Sequence, residues 1–360
     1  MAEGLLDVTP PLPPRALYSR RVPLPFPYDE DRCRLYDRGR HALWHGLGAL
    51  GLGEGDELLV PAYHCGSEVG ALVDRGIVPR FWGGTEALEP DPEELQRLIG
   101  PRTRGLYLIH YLGLAQDGAR WRRWCDERGL LLLEDAAPSW LAGSAGRPVG
   151  SWGDLAIFSP WKLVGVPEAG ALLCQSPPPP LPLSSRLSLT TIAKGAARSL
   201  AQRSRRAAEA LARREEPPFD PEREYAIDDP NLGMSKLSLD LLRRLYRPDL
   251  PAIRRRNYEW LRERVGERVP VPFDRELRED CPLYLPVTSA DKAGLRAHLL
   301  ERGIRSVDFW SVPHPVAPAG AFPAIDRRRE ITVLLPIHQE LRPADLERIA
   351  AAVAAWPADP

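Results

Sequence analysis

From about residue 38 the chain alternates short, unbroken apolar runs with amphipathic stretches. Glu57-Leu-Leu-Val-Pro61 is the first such run, residues 105–110, 130–134, 155–158 and 171–174 repeat the pattern, and 78–82, interrupted by Arg80, reads as a further strand. Runs that are continuous rather than alternating mark strands buried on both faces. Between them, 42–50, 66–75, 92–99 and 121–128 carry apolar positions at helical spacing, and the first ends in Gly51-Leu-Gly53-Glu-Gly55, a helix stop with turn chemistry. Strand and helix in regular alternation predict an α/β fold: a three-layer α/β/α arrangement around a mostly parallel sheet.

The pattern changes after residue 175. A proline run at 177–182 reads as a stiff connector, and 191–214 reads as a long basic amphipathic helix. A helix follows at 236–246. Beyond it, strands at 283–287 and 331–335 alternate with helices at 291–302 and 343–355, a smaller α/β unit. The expected organisation is a proline-rich arm over 1–35, a large domain over 36–247 and a small C-terminal domain over 248–360.

Composition narrows the partners. In 360 residues the formal charge is −1, which gives no reason to expect nucleic acid or an acidic membrane. Basic clusters at 198–206 and 254–256 read as solvated helix faces. Five scattered cysteines without a Cys-x-x-Cys pair indicate neither a disulfide framework nor a metal site. No apolar run approaches the ~20 residues of a membrane helix, and the start lacks signal-peptide character, so a soluble, cytoplasmic protein is expected.

Lysine is scarce, with four among 48 basic residues, and Lys162 lies in Ile157-Phe-Ser-Pro-Trp-Lys162 just past an apolar run. An arginine keeps its proton and cannot form an imine, whereas a lysine can. Upstream, Asp135 immediately follows the apolar run Leu130 to Glu134. A lysine that holds an aldehyde as a Schiff base and a carboxylate that pairs with a pyridinium nitrogen are what pyridoxal phosphate (PLP) requires. In open parallel sheets ligands sit beyond the carboxyl ends of strands, and Asp135, Ser159, Lys162, His110 and Tyr63-His64-Cys65 all fall there. Gly39 and Arg40 precede the first helix, where free N–H groups and a guanidinium would bind phosphate, and Ser159 would add a hydroxyl.

These motifs resemble the DegT/DnrJ/StrS family of PLP-dependent sugar aminotransferases, of the aspartate-aminotransferase fold type. The resemblance runs from about residue 36 onward: Ala49 to Tyr63, Glu134-Asp-Ala-Ala137, Val149 to Asp154, Phe158-Ser159 and Leu335-Pro-Ile-His338 fall in the family's order. It implies that Lys162 is the Schiff-base lysine, in the shorter Ser-x-x-Lys form of a divergent branch. Asp135 would be the pyridinium partner, and Ser159 and Gly39 phosphate ligands. Asn231 resembles an asparagine that reaches the neighbouring subunit's phosphate, which implies a homodimer with shared active sites. Arg40 stands in place of a small hydroxyl residue, Pro138 in place of a glutamine, and Leu232-Gly233 in place of Tyr-Arg. Cys65 takes the place of an aromatic that stacks on the cofactor, leaving Tyr63 or His64 to cover that face. His110, His314 and Trp310 are further substrate-side candidates. The implied activity moves an amino group from an amino acid such as glutamate to a nucleotide-linked keto-deoxysugar or keto-cyclitol. A PLP-dependent dehydratase, a non-sugar aminotransferase and a non-catalytic PLP-fold binding protein remain as alternatives; Lys162 favours transamination, because the family's sugar dehydratases replace that lysine.

Overall fold

The computed structural model of the protein describes residues 4–185, 200 and 219–357. The large domain contributes strands β1 Cys33–Tyr36, β2 Glu57–Pro61, β3 Val78–Trp82, β4 Thr103–Ile109, β5 Leu131–Asp135, β8 Leu155–Phe158 and β9 Gly170–Cys174, with a small hairpin of β6 Gly143–Ser144 and β7 Arg147–Pro148. Seven of them form one sheet in the order β1-β9-β8-β5-β4-β2-β3. From β8 to β3 the pairing is parallel, while β9 runs antiparallel to both β8 and β1. The carboxyl ends of β1, β2, β4, β5 and β8 therefore share one rim.

Alternate residues of each strand face opposite sides. Leu58, Val60, Tyr107, Ile109, Leu133, Leu155 and Ile157 belong to the core on the side of α1 (Gly39–Ala49) and α2 (Ser67–Asp74). Leu59, Leu106, Leu108 and Leu132 join Trp82, Trp121 and Trp124 beneath α3 (Pro92–Leu98) and α4 (Gly118–Asp126). This is the three-layer α/β arrangement that the apolar runs predict. Asp91 and Asp117 cap α3 and α4 by accepting bonds from Glu93 N and Arg120 N, both at 2.9 Å.

A one-turn helix, α5 (Trp161–Val164), follows β8, and α6 (Pro221–Tyr225) and α7 (Lys236–Leu245) complete the described large domain. The small domain begins with α8 (Leu250–Val265) and contains β10 Leu285–Thr288, α9 (Lys292–Glu301), β11 Val307–Asp308, α10 (Pro323–Ile331), β12 Thr332–Leu335 and α11 (Pro343–Ala354). Its sheet is antiparallel, in the order β10-β12-β11.

Two sequence expectations change. The edge strand β1 starts at Cys33, inside the stretch assigned to the arm, because Cys33 to Tyr36 pair with Leu173 to Gly170. Arg254, expected on a solvated face, is wholly buried in α8 and donates to the carbonyls of Leu163, Pro282 and Leu283 at 2.9–3.1 Å. The arm packs on the C-terminal part of the chain: Leu6 bridges Ile304, and His338 bonds the Asp7 carbonyl at 3.1 Å. The basic helix expected at 191–214 lies outside the described residues except for Leu200.

Candidate active site

The rim gathers most of the candidate residues. Asp135 is the last residue of β5, paired across β4 and β8 with Ile109 and Ile157. Its carboxylate accepts bonds from the Tyr107 hydroxyl at 2.8 Å and from Ala137 N at 2.9 Å. No cation forms an ion pair with it among the described residues. Burial, with the Glu68 carboxylate nearby, pushes the Asp135 carboxyl up to about 6 against the opposing pull of Lys162 and these hydrogen bonds. A buried carboxylate in that condition favours an incoming cation.

Lys162 sits in α5, one turn beyond Ser159, whose carbonyl accepts from Lys162 N at 3.1 Å. Its ammonium makes no hydrogen bond or ion pair to a described residue and lies close enough to act electrostatically on Asp135 and Cys65. The helix carrying it is held from the small domain. Arg254 Nη2 and Gln339 Nε2 both donate to the Leu163 carbonyl, at 2.9 and 3.3 Å. That carbonyl belongs to a single-turn helix with no later turn to bond it.

The anion cradle lies across the rim from Asp135. Helix α1 opens at Gly39 after Arg38, with no side chain capping its first N–H groups. A Cβ on Gly39 would stand 2.5 Å from Ser159 Oγ, so glycine keeps the space between that hydroxyl and the helix start free. Arg40 is half-buried there and donates to the Glu224 carbonyl. Uncapped N–H groups, a hydroxyl and a guanidinium together suit a phosphate.

Residues 36–178 match the sequence model of the DegT/DnrJ/EryC1/StrS aminotransferase family. The match spans 143 of the 360 residues and marks a distant similarity to this family. Among relatives, GDP-perosamine synthase of Vibrio cholerae is 35% identical over 122 residues, covering 34% of this chain and 33% of that protein. The L-glutamine:2-deoxy-scyllo-inosose aminotransferase of Streptomyces kanamyceticus is 29% identical over 148 residues, 40% of this chain and 35% of that protein. The chain thus aligns to about a third of the length of these curated relatives. The fold extends further. DesV of S. venezuelae, solved in complex with a ketimine intermediate, superposes with a TM-score of 0.65 over 90% of this chain and 84% of its own, at 22% identity. NtdA of Bacillus subtilis, with the cofactor PMP bound, gives 0.63 over 89% and 72%, at 18% identity.

The DegT/DnrJ family depends on PLP, and the residues of this chain fit that group. Gly39, Ser159 and the start of α1 leave room for the phosphate, Asp135 offers a buried carboxylate for the ring nitrogen, and Lys162 has an uncommitted amine.

Other candidates take different places. Tyr63 is buried, donates its hydroxyl to the Phe309 carbonyl at 2.9 Å and packs on Phe309 and Tyr111. His64 bonds the Pro61 carbonyl through Nδ1 at 3.0 Å, accepts from His314 N through Nε2 at 3.1 Å and stacks on Phe81. Burial holds His64 neutral, with its pKa pulled down to about 4. Both side chains join the two domains, and neither offers a free face to a cofactor ring. His110, expected near substrate, is wholly buried, with Nε2 on Glu134 at 3.0 Å and Nδ1 accepting from Gln116 N at 3.0 Å. It is a loop anchor with no nitrogen left for substrate. Glu134 is likewise committed to the backbone N–H groups of Gly150 and Trp152 at 3.0 and 2.7 Å. His314 stacks on Tyr225 with centroids 5.3 Å apart, at the mouth of the site. Trp310 holds a left-handed φ of 54°, costly for a large side chain, with its carbonyl bonded by Arg329. Asn231 is exposed beside α1 of its own chain, between Pro230, which accepts from His45 at 3.0 Å, and Leu232, which accepts from Asp37 N at 3.1 Å.

Sequence reading missed four residues that shape the site. Tyr107 faces Asp135 from the next strand, a relation that register alone reveals. Glu68, Tyr225 and Arg329 come from α2, α6 and α10. Arg329 donates to the carbonyls of Ala62 and His64 at 2.7 and 3.2 Å, locking the loop after β2. Glu68 stands three residues after Cys65, a spacing that signals a helix start.

Proposed function

We propose that the protein is a PLP-dependent aminotransferase that moves an amino group from an amino acid, with glutamate as the first candidate, to a keto group of a nucleotide-linked keto-deoxysugar or a related keto-cyclitol. The single observation that carries the reading is the buried Asp135 carboxylate, without a cation of its own, opposite the uncommitted Lys162 amine. When bound, the cofactor supplies a cationic ring able to accept the electron pair released at the substrate carbon. Asp135, oriented by Tyr107 and Ala137, would keep a proton on the ring nitrogen. The α1 N–H groups, Ser159 and Arg40 would hold the phosphate. Lys162 Nζ would hold the aldehyde carbon and would carry protons to and from the substrate carbon. Asn231 at the rim supports a second copy of the chain completing the site. The acceptor class rests on the relatives: one is named for a perosamine sugar nucleotide and another for an inosose.

The test uses the full chain with added PLP. A visible absorbance band should appear, and borohydride should fix the cofactor covalently on Lys162. Glutamate or glutamine should then bleach the band as the cofactor takes up the amino group. Bleaching by no amino donor would remove transamination from consideration.

A further inference from the structure

Cys65 lies at the centre of the site, in electrostatic contact with Lys162 of α5, Arg40 of α1, Tyr107 of β4 and Tyr225 of α6. Its backbone N and its thiol both donate to one partner, Glu68, at 3.0 Å to Oε1 and 2.9 Å to Oε2. Glu68 is buried, and among the described residues no lysine or arginine pairs with it. Gly66, between the two, adopts φ of 99° with the Tyr225 ring against it, so the turn that aims Cys65 at Glu68 is fixed from a third element.

Such a thiol is a hazard. An ionised cysteine adds readily to aldehydes, and the two nearby cations favour ionisation. Burial and the Glu68 carboxylate act the other way and together push the Cys65 thiol well up, against the pull of Lys162. Tyr107 and Tyr225 stay neutral, because burial raises both hydroxyls, so among the described residues Glu68 is the anion hydrogen-bonded to the sulfur.

We propose that Glu68 is a positioning residue that holds Cys65 as a neutral thiol, so that the sulfur covers the cofactor's face without competing with Lys162 for its aldehyde. The thiol donates to Glu68 Oε2 at 2.9 Å, which commits its proton to that carboxylate. The cover rests on the PLP reading above; the guarding of the thiol does not.

Alkylation by iodoacetamide tests both parts in the full chain, with Cys65 modification followed by peptide mass spectrometry. Without cofactor, Glu68→Gln should speed Cys65 alkylation about tenfold at pH 8, and its rate–pH profile should move to lower pH by about one unit. An unchanged profile overturns the proposal. A second measurement needs no variant: the folded wild-type profile for Cys65 should lie at higher pH than that of the urea-unfolded chain, despite Lys162 and Arg40. A folded profile at or below the unfolded one overturns it equally. Saturating PLP should protect Cys65 in the wild type, and undiminished alkylation beside a developed visible band refutes the cover. If no visible band forms at all, the PLP reading fails while the cofactor-free profiles still decide the role of Glu68.

Discussion

Replacing Asp135 by asparagine should stabilise the cofactor-free protein while abolishing its affinity for PLP, and pH separates the cause from other effects of the change. The carboxyl is raised in the folded state from an ordinary 3.8 to about 6, chiefly by burial and Glu68. Between those values the folded chain binds more protons at this site than the unfolded chain, so stability falls as pH rises through the window. Two pH units correspond to roughly 3 kcal/mol, present as a penalty above pH 6 and absent below about pH 4. The asparagine side chain carries no charge at any of these pH values. The stability difference between variant and wild type should therefore grow by roughly 3 kcal/mol in the variant's favour from pH 4 to pH 7. Buried His64 and His338, pulled down to about 4 and about 3, destabilise both proteins as pH falls below 6.5, and cancel in the difference. Urea unfolding of both cofactor-free proteins at four pH values measures it. Added PLP should then raise the wild-type midpoint and leave the variant's unchanged. A difference flat with pH, or one growing toward acid, would refute the account of Asp135 as a charge awaiting its cation.

Gly39→Ala should fold normally, since the added Cβ meets only the movable Ser159 hydroxyl, yet weaken PLP binding about tenfold or more by filling the phosphate's space; titration of the visible band measures it. Arg254→Met should lower stability by about 3 kcal/mol, because the carbonyls of Leu163, Pro282 and Leu283 lose their buried donor, and denaturant midpoints report that loss.

How legible the chain was depends on where each residue finds its partner. Strands β2 and β8 were readable end to end, because a strand buried on both faces is a continuous apolar run between turn residues. Helix α8 was not, since its buried face carries Arg254 and Asn257 beside Tyr258 and Leu261, and polar residues facing inward erase the apolar period. Strand β1 was absorbed into the arm, being four residues long and mostly half-buried. The placing of Gly39, Asp135, Ser159 and Lys162 at strand ends and a helix start was legible. Arg329 and Glu68 were not, for a different reason. Their partners are backbone atoms or a thiol that only the folded chain brings within reach, and residue type alone gives no hint of such bonds.

The charges of the site obey one rule that explains why this rim suits a cationic ring. The carboxylates of Asp135 and Glu68 and the guanidinium groups of Arg254 and Arg329 are buried, yet no ion pair joins them among the described residues. Arg254 and Arg329 donate to backbone carbonyls, with Gln339 as the one side-chain acceptor on Arg254. Asp135 and Glu68 accept instead from neutral donors: a tyrosine hydroxyl, a thiol and two backbone N–H groups. Had either arginine met either carboxylate, the pair would have neutralised itself, and the stabilisation would have gone into the resting protein. Kept apart, the arginines fix the loops and the Lys162 helix, while the carboxylates hold a negative potential at the strand ends. The folded chain bears that cost before any ligand arrives, so none of these groups must reorganise when the ring cation forms, which is the condition for electrostatic stabilisation in an active site.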